Sequence, residues 1–372
     1  MPEPYLYQYH ISDNAIQTQC LASGSPEEDG NFYKSVKWSP DGTSLAAHTE
    51  DNALHIYNVC DIVDSIAQGS VSADTECRQI SPAAAIPHAE RFIDFSWYPY
   101  MHHATPSTCC LVESTRDHPL HLRDTNYGSV RAHYAAYDSK EVLMTANCTL
   151  FSPDGSRIYA GYQRSIGVFD TQRAGLPISL DSTSPTRRSK DGVRGIISCL
   201  AFSPTSQLLY GLCQLNMPAR VLPICSGRLT ACFLWAAPRQ SRHIVAWDVR
   251  DLRGPYAVVE RPATTQQRMA FDFDTMGRFL VAGQMDGSLA FHDICGLDSA
   301  EDRGVARVPA HDDLVAGVAC HPHYALLATA AGQRRFSDYG DDEAAAAGRS
   351  VCSPSLKLWS LGAQYFEREI QA

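Results

Sequence analysis

Several features are missing from this 372-residue chain, and each absence closes off a class of function. No run approaches the roughly 18 consecutive apolar residues that a membrane helix needs, so no spanning segment is expected. The opening stretch, Met1-Pro-Glu-Pro-Tyr-Leu-Tyr, lacks the basic and apolar regions of a signal peptide, and none is expected. The thirteen cysteines contain no C-x-x-C spacing, and Cys109-Cys110 is the one adjacent pair. An odd, scattered set with members in apolar runs (Cys148, Cys199, Cys320) predicts a reducing compartment rather than a disulfide framework. The phosphate-loop, zinc-protease and serine-hydrolase signatures are absent, so no catalytic centre, cofactor or metal is expected. Net positive charge is lacking too, at −10, which excludes coating DNA or RNA through bulk charge but leaves room for a local basic patch.

What the chain does have is a returning phrase: an aromatic, Ser-Pro or its equivalent, a turn, then two short β-rich runs. It reads Trp38-Ser-Pro-Asp-Gly42, Phe151-Ser-Pro-Asp-Gly155 and Phe202-Ser-Pro204, with looser copies at Phe273-Asp-Thr-Met-Gly277 and Cys320-His-Pro-His323. Trp38, Trp97, Phe151 and Phe202 stand 59, 54 and 51 residues apart, the period of one four-stranded propeller blade with its loops. The second run of each pair ends in a hydrophobic-then-Asp pattern, fullest at Ile244-Val-Ala-Trp-Asp248. The fold class predicted is an all-β, seven-bladed WD-repeat β-propeller. From Phe202 to Phe273 is 71 residues where two blades need about 100, so one blade is expected to be degenerate around 212–238. Residues 1–30 are assigned to closing the ring through the alternating run Tyr5–His10, residues 31–361 to the propeller and 362–372 to a tail. The stretches 171–194 and 333–354 read as loops without periodicity.

Candidate residues fall into two groups. The structural group comprises Asp51 and Asp286 in hairpin turns, Asp170, Asp248 and Asp293 at strand ends, and Trp247 and Trp359 in the Trp-Asp position. His133 and His311 join it, where such repeats place a histidine bonded to the hairpin Asp and to a strand Thr or Ser. The second group is Arg116, Arg250, Arg268, Arg334 and Arg335, at turns that converge on the rims of the central channel. Arginine suits phosphate and stacking on bases, although each taken singly is a solvated loop charge. Trp97-Tyr98 and Tyr339 are candidate stacking platforms, with the anchor position of Trp97 pointing to the core. His102-His103 near Cys109-Cys110 invites a metal reading, but the paired-turn form of a zinc site is missing.

Phe32-Tyr-Lys-Ser-Val-Lys-Trp-Ser-Pro-Asp-Gly42 followed by Asp51-Asn-Ala-Leu-His-Ile-Tyr-Asn58 resembles the first blade of the telomerase Cajal body protein family. Ser114-Thr-Arg-Asp-His-Pro-Leu-His121, Thr264-Thr-Gln-Gln-Arg268 and Ala331-Gly-Gln-Arg334 resemble further elements of that family that are not general to WD repeats. The resemblance covers nearly the whole ring except 212–238. It implies a non-enzymatic nuclear scaffold that binds small nuclear or Cajal-body-type RNA, telomerase RNA in animals, or its ribonucleoprotein. It further implies a location in nucleoplasm or a nuclear body with the cytoplasm as a second compartment. On this basis the RNA-binding rim is expected at Arg116, His118, Arg250, Gln266, Arg268, Gln333 and Arg334, with protein partners on the same rim and neither DNA nor a membrane. The alternative is a protein–protein adaptor in pre-mRNA splicing, as fungal relatives suggest, or in another complex without RNA contact.

Overall fold

The computed structural model of the protein describes residues 6–9, 11–12, 15–16, 18–26, 30–68, 76–185, 195–202, 209–213, 219–224, 231–251, 253–294, 305–334 and 354–366. Among these, six sheets of four or five strands form a β-propeller, mostly of antiparallel strands that follow one another in sequence, the last blade also taking in strands from the N-terminal region. The first blade holds Tyr33–Trp38, Ser44–Thr49, Ala53–Asn58 and Ala84–Pro87. The second holds Phe92–Trp97, Cys110–Thr115, Leu120–Asp124 and Val130–Tyr134, and the third Cys148–Phe151, Arg157–Gly161, Ser165–Asp170 and Ser179–Ser182. The fourth contains Ala219–Ile224, Ala231–Ala236, His243–Asp248 and Ala257–Glu260. The fifth contains Phe271–Phe273, Phe279–Gly283, Ser288–Asp293 and Val305–Pro309. Val315–Cys320, Leu326–Ala331 and Leu356–Leu361 make the last blade, completed by Thr18–Gly24.

Two expectations need correction. Among the described residues six blades are full, and the reduced unit lies earlier than 212–238. It is the two-stranded sheet Ile197–Phe202 with Leu209–Cys213, between the third and fourth blades. The stretch without evident rhythm supplies the first two strands of a full blade, paired from Ala219↔Ala236 to Ile224↔Ala231. Closure also uses a different run: Thr18–Gly24 pairs with Leu356–Leu361, whereas Leu6–Tyr9 pairs with Ala363–Phe366. Of the stretch 171–194, residues 179–182 form the outer strand of the third blade, and 186–194 lie outside the described residues, as do 335–353.

The core fills the gaps between successive sheets. One cluster joins the last and first blades (Leu326, Leu356 with Val36, Trp38), another the first and second (Leu54, Ile56 with Phe95, Trp97). Others join the second to the third, the fourth to the fifth, and the fifth to the last. The repeated anchor explains itself here. Trp38 Nε1 donates to Ala319 O at 3.0 Å and Trp97 Nε1 to Lys37 O at 3.2 Å, each reaching the inner strand of the preceding blade. Trp97 is thus core, not a stacking platform. The Ser-Pro-Asp-Gly phrase is a self-capped turn: Ser39 Oγ and Thr43 N donate to Asp41 Oδ1, and Ser152 Oγ and Ser156 N to Asp154 Oδ1. Gly42 closes it at φ +74°, where a Cβ would also strike the His321 ring. A single α-helix among the described residues, Cys60–Ala67, buries Ile62, Val63 and Ile66 against the first blade in a stretch that reads as a polar insert.

Candidate nucleic-acid interface

In an antiparallel blade, the hairpin between second and third strands opens at the same end as the segment leading into the next inner strand. The other two turns open at the opposite end. Contacts tie the first set together. Arg334, in the hairpin of the last blade, pairs with Glu50 in the hairpin of the first. Gln267 Nε2, ahead of the fifth blade, donates to Gly332 O at 2.9 Å, and Asp117 N in the second-blade hairpin donates to Thr145 Oγ1 at 3.0 Å.

Below this face the channel is bridged by charge. Lys37 Nζ lies 2.9 Å from Asp94 Oδ1, and Thr149 N donates to Asp94 Oδ2 at 3.1 Å, so one carboxylate links the inner strands of three blades. Arg268 reaches across, its Nη2 donating to Ser198 O at 3.0 Å and its Nη1 standing 3.9 Å from Asp94. Burial would raise the Asp94 pKa, but Lys37 and Arg268 outweigh it and hold the carboxyl below its usual range. Arg268 is 29% exposed, at the bottom of the face rather than on its rim.

Around it stand cations lodged in one another's fields. Burial first, then the charges of Arg91 and Arg334, push the Lys34 amine down to about 8, even with Glu50 at 2.5 Å. Burial, then Arg268 and Arg91, lowers Arg239. Arg164 Nη2 donates to Ser184 Oγ at 3.2 Å on the third-blade hairpin. Like charges held this close repel one another, which an anion laid across them would relieve.

The expected rim is partly brought together. Arg116 and Arg334 are exposed on this face, as is Gln266, and His118 shares the Arg116 hairpin. Gln333 is turned inward, its Nε2 donating to Asp313 Oδ1 at 2.7 Å. Arg250 does not belong: it lies in the turn between third and fourth strands, at the opposite end, paired with Asp248 at 2.5 Å. Arg335 and Tyr339 lie outside the described residues.

Of the structural positions, His311 Nε2 and Trp359 Nε1 meet at Thr329 Oγ1, at 2.7 and 2.8 Å, and His311 Nδ1 lies 2.7 Å from Ser355 Oγ. Asp286 caps its own turn through Ser288 instead of reaching His311, while Asp51 accepts from Thr49 Oγ1 and Ala53 N. Asp170 accepts from Gln172 N, and Asp293 pairs with Arg278 at 3.0 Å. His133 is corrected: it sits exposed on the outer strand of the second blade, beside His121. The residue placed as His311 is, four positions before an inner strand, is His88. Trp247 is half-buried, and the fully buried indole of that blade is Trp235. Cys109 and Cys110 are buried and, among the described residues, belong to no ligand set. His102 and His103 gather instead with Asp41, whose Oδ2 lies 3.2 Å from His103 Nδ1.

No protein-family model matches the chain. It is, however, 32% identical over 385 residues to telomerase Cajal body protein 1 of Mesocricetus auratus, an alignment covering 94% of this chain and 70% of that protein. The chain belongs to the telomerase Cajal body protein 1 family. The Bos taurus protein of that name is 33% identical over 348 residues, 87% of this chain and 63% of its own length. The Homo sapiens protein is 33% identical over 328 residues, 83% and 58%. The chain therefore spans less than two thirds of the length of the bovine and human proteins. Guanine nucleotide-binding protein negative regulator 1 of Schizosaccharomyces pombe is also similar, 27% identical over 291 residues and 71% of each chain.

For this member of the telomerase Cajal body protein 1 family, sequence reasoning missed Lys34, Arg91, Arg164, Arg239 and Arg261. Four of the five have a readable signal. Lys34 and Arg91 flank the start of an inner strand, and Arg164 and Arg239 occupy the same hairpin as Arg116 and Arg334 in other repeats. Laying the repeats over one another would have found them.

Proposed function

We propose that this chain is a nuclear, non-enzymatic propeller scaffold that binds a small nuclear or Cajal-body-type RNA, or its ribonucleoprotein, on the hairpin face. The observation that carries this reading is the gathering of Lys34, Arg91, Arg116, Arg239, Arg268 and Arg334 on one end of a chain whose net charge is −10. Arginines at the opposite end pair one to one with carboxylates, Arg250 with Asp248, Arg253 with Asp251 and Arg278 with Asp293, whereas on the hairpin face Lys34 and Arg334 share Glu50, and Lys37 and Arg268 share Asp94. A locally basic face on an acidic body suits recognition of an RNA loop through phosphates and exposed bases, and discourages indiscriminate coating of nucleic acid. Names of the relatives support the nucleus and the Cajal body. The fission yeast relative, named for a G-protein partner, favours a second reading in which the same cations meet an acidic protein segment.

Crosslinking the protein to RNA in cells and sequencing what is retained tests the first reading, with the salt dependence of retention measured in parallel. A defined small RNA released by rising salt is the expected result; retention of proteins alone would leave the adaptor. Arg268→Ala should weaken RNA retention roughly ten-fold. Unchanged affinity with a lowered melting temperature would make Arg268 a brace between Asp94 and Ser198 only.

A further inference from the structure

Between the fourth-blade hairpin and the segment leading into the fifth blade lies a narrow cleft, too tight to hold a water molecule, lined by Pro238, Arg239, Arg261, Ala263, Gln267 and Met269. Arg261 is 2% exposed, yet no carboxylate pairs with it among the described residues. Its Nη1 donates to Met269 O at 2.9 Å, and its Nε has no partner. Arg239 Nε is likewise buried and unpartnered, and the charges acting on that side chain are the cations Arg268 and Arg91. Burial brings the Arg261 guanidinium down to about 10, so it remains a cation at neutral pH. A buried guanidinium without a counter-charge weakens the fold, and half-buried Arg239 adds a second cation at the edge of the same cleft. The arrangement is balanced once a ligand brings the negative charge.

We propose that the mouth of this cleft is a phosphate subsite for the RNA backbone, in which Arg239 donates to a phosphodiester group and the Arg261 guanidinium behind it supplies positive charge from beneath. The inference rests on the RNA reading of the hairpin face and deepens it. Arg268 and Arg91, whose fields reach Arg239, and then Lys34 and Arg334, continue the basic track from the cleft across the channel mouth. A backbone with a charge on every nucleotide can follow such a track, whereas a single phosphorylated side chain would leave most of it unmatched.

The test is filter binding of the full chain to a labelled pool of small nuclear RNA across a salt series, with melting temperatures taken without RNA. Arg261→Met should weaken binding ten-fold or more and reduce the salt slope by about one, while the melting temperature holds or rises. Arg239→Gln, at the edge of the cleft, should give the same loss and does not depend on the deeper variant folding. Wild-type protein that retains no RNA overturns both the RNA reading and this subsite. Wild-type binding with unchanged affinity and salt slope in Arg239→Gln and Arg261→Met overturns the subsite alone. A phosphoserine peptide whose binding Arg239→Gln abolishes while RNA binding stays intact also overturns it, in favour of a peptide ligand.

Discussion

The last blade and the second blade solve the same packing problem with opposite chemistry. In the last blade, His311, Thr329 and Trp359 form a neutral chain of hydrogen bonds through one hydroxyl. In the second, the corresponding positions are His88, Glu113 and Arg123. Glu113 is 0% exposed; Arg123 donates to its Oε1 through Nε at 2.7 Å and Nη2 at 2.5 Å, and His88 Nε2 lies 3.1 Å from its Oε2. Burial would raise the Glu113 pKa, but the neighbouring His121, His88 and Arg123 bring it down to about 2, so the carboxylate is ionised. The pair of blades teaches that the repeat preserves a geometry, three polar groups in line across adjacent strands, and tolerates either neutral or ionic occupants. The tolerance is conditional: an ionic set must be complete.

The largest effect should therefore come from breaking the ionic set. Glu113→Leu leaves Arg123 nearly buried without its carboxylate, and should destabilise the protein by about 3–5 kcal/mol in denaturant titration. Rebuilding the last blade's chain in the second, with Glu113→Thr and Arg123→Trp beside the existing His88, should recover more than half of that loss. A single-variant cost below about 1 kcal/mol would mean that water reaches the pair and that the two blades differ less than their contacts suggest.

How far the sequence discloses this structure follows from the same contrast. Anchors and turns were legible because each is a local event: Trp38 and Trp97 close inner strands, and Asp41 and Asp154 cap the turns after them. The place of the reduced unit was not. The fourth blade starts without an anchor and carries Pro223 in its inner strand, a residue that breaks strand patterns yet is tolerated where one strand edge faces the channel. For the site, hairpin position marked Arg116 and Arg334, but it also drew in Arg250, because a Trp-Asp followed by Arg looks alike at either end of a blade. The burial of Arg261 had no sequence signal at all. Whether a guanidinium in a loop is solvated or enclosed depends on a neighbouring hairpin that periodicity does not reveal.

Acid should separate the two blades next. Burial pushes His311 and His321, both in the last blade, down to about 3, against 6.5 for a solvated imidazole. The unfolded chain takes up these protons near pH 6.5 and the folded chain refuses them, so stability is full above that pH and falls as pH drops toward 3. By pH 5 each group costs about 2 kcal/mol. Glu113 is silent in this window: its depressed pKa contributes stability above the unfolded value of 4.5, lost only as pH falls from there toward 2. Melting temperatures between pH 7 and 5 should thus fall less steeply in His311→Gln than in wild type, and as steeply as wild type in Glu113→Gln. A wild-type slope in His311→Gln would show that the imidazole is protonated in the fold.

The smallest effect comes from within the second blade itself, where two arginines only seven positions apart meet opposite fates. Arg123 is enclosed with Glu113, whereas Arg116 is 63% exposed and 3.4 Å from Asp117, which is itself exposed. An ion pair in that much water returns little, because solvent screens it and two flexible side chains must be held. The hairpin is fixed instead by its backbone, through Arg116 N donating to Arg91 O at 2.9 Å and Asp117 N to Thr145 Oγ1 at 3.0 Å, bonds that truncating the Arg116 side chain leaves intact. Arg116→Ala should accordingly change stability by less than about 0.5 kcal/mol, with overlapping thermal melts, while reducing RNA retention on the hairpin face. A stability loss comparable to that of Glu113→Leu would reverse the assignment, making Arg116 part of the blade's framework and removing it from the interface.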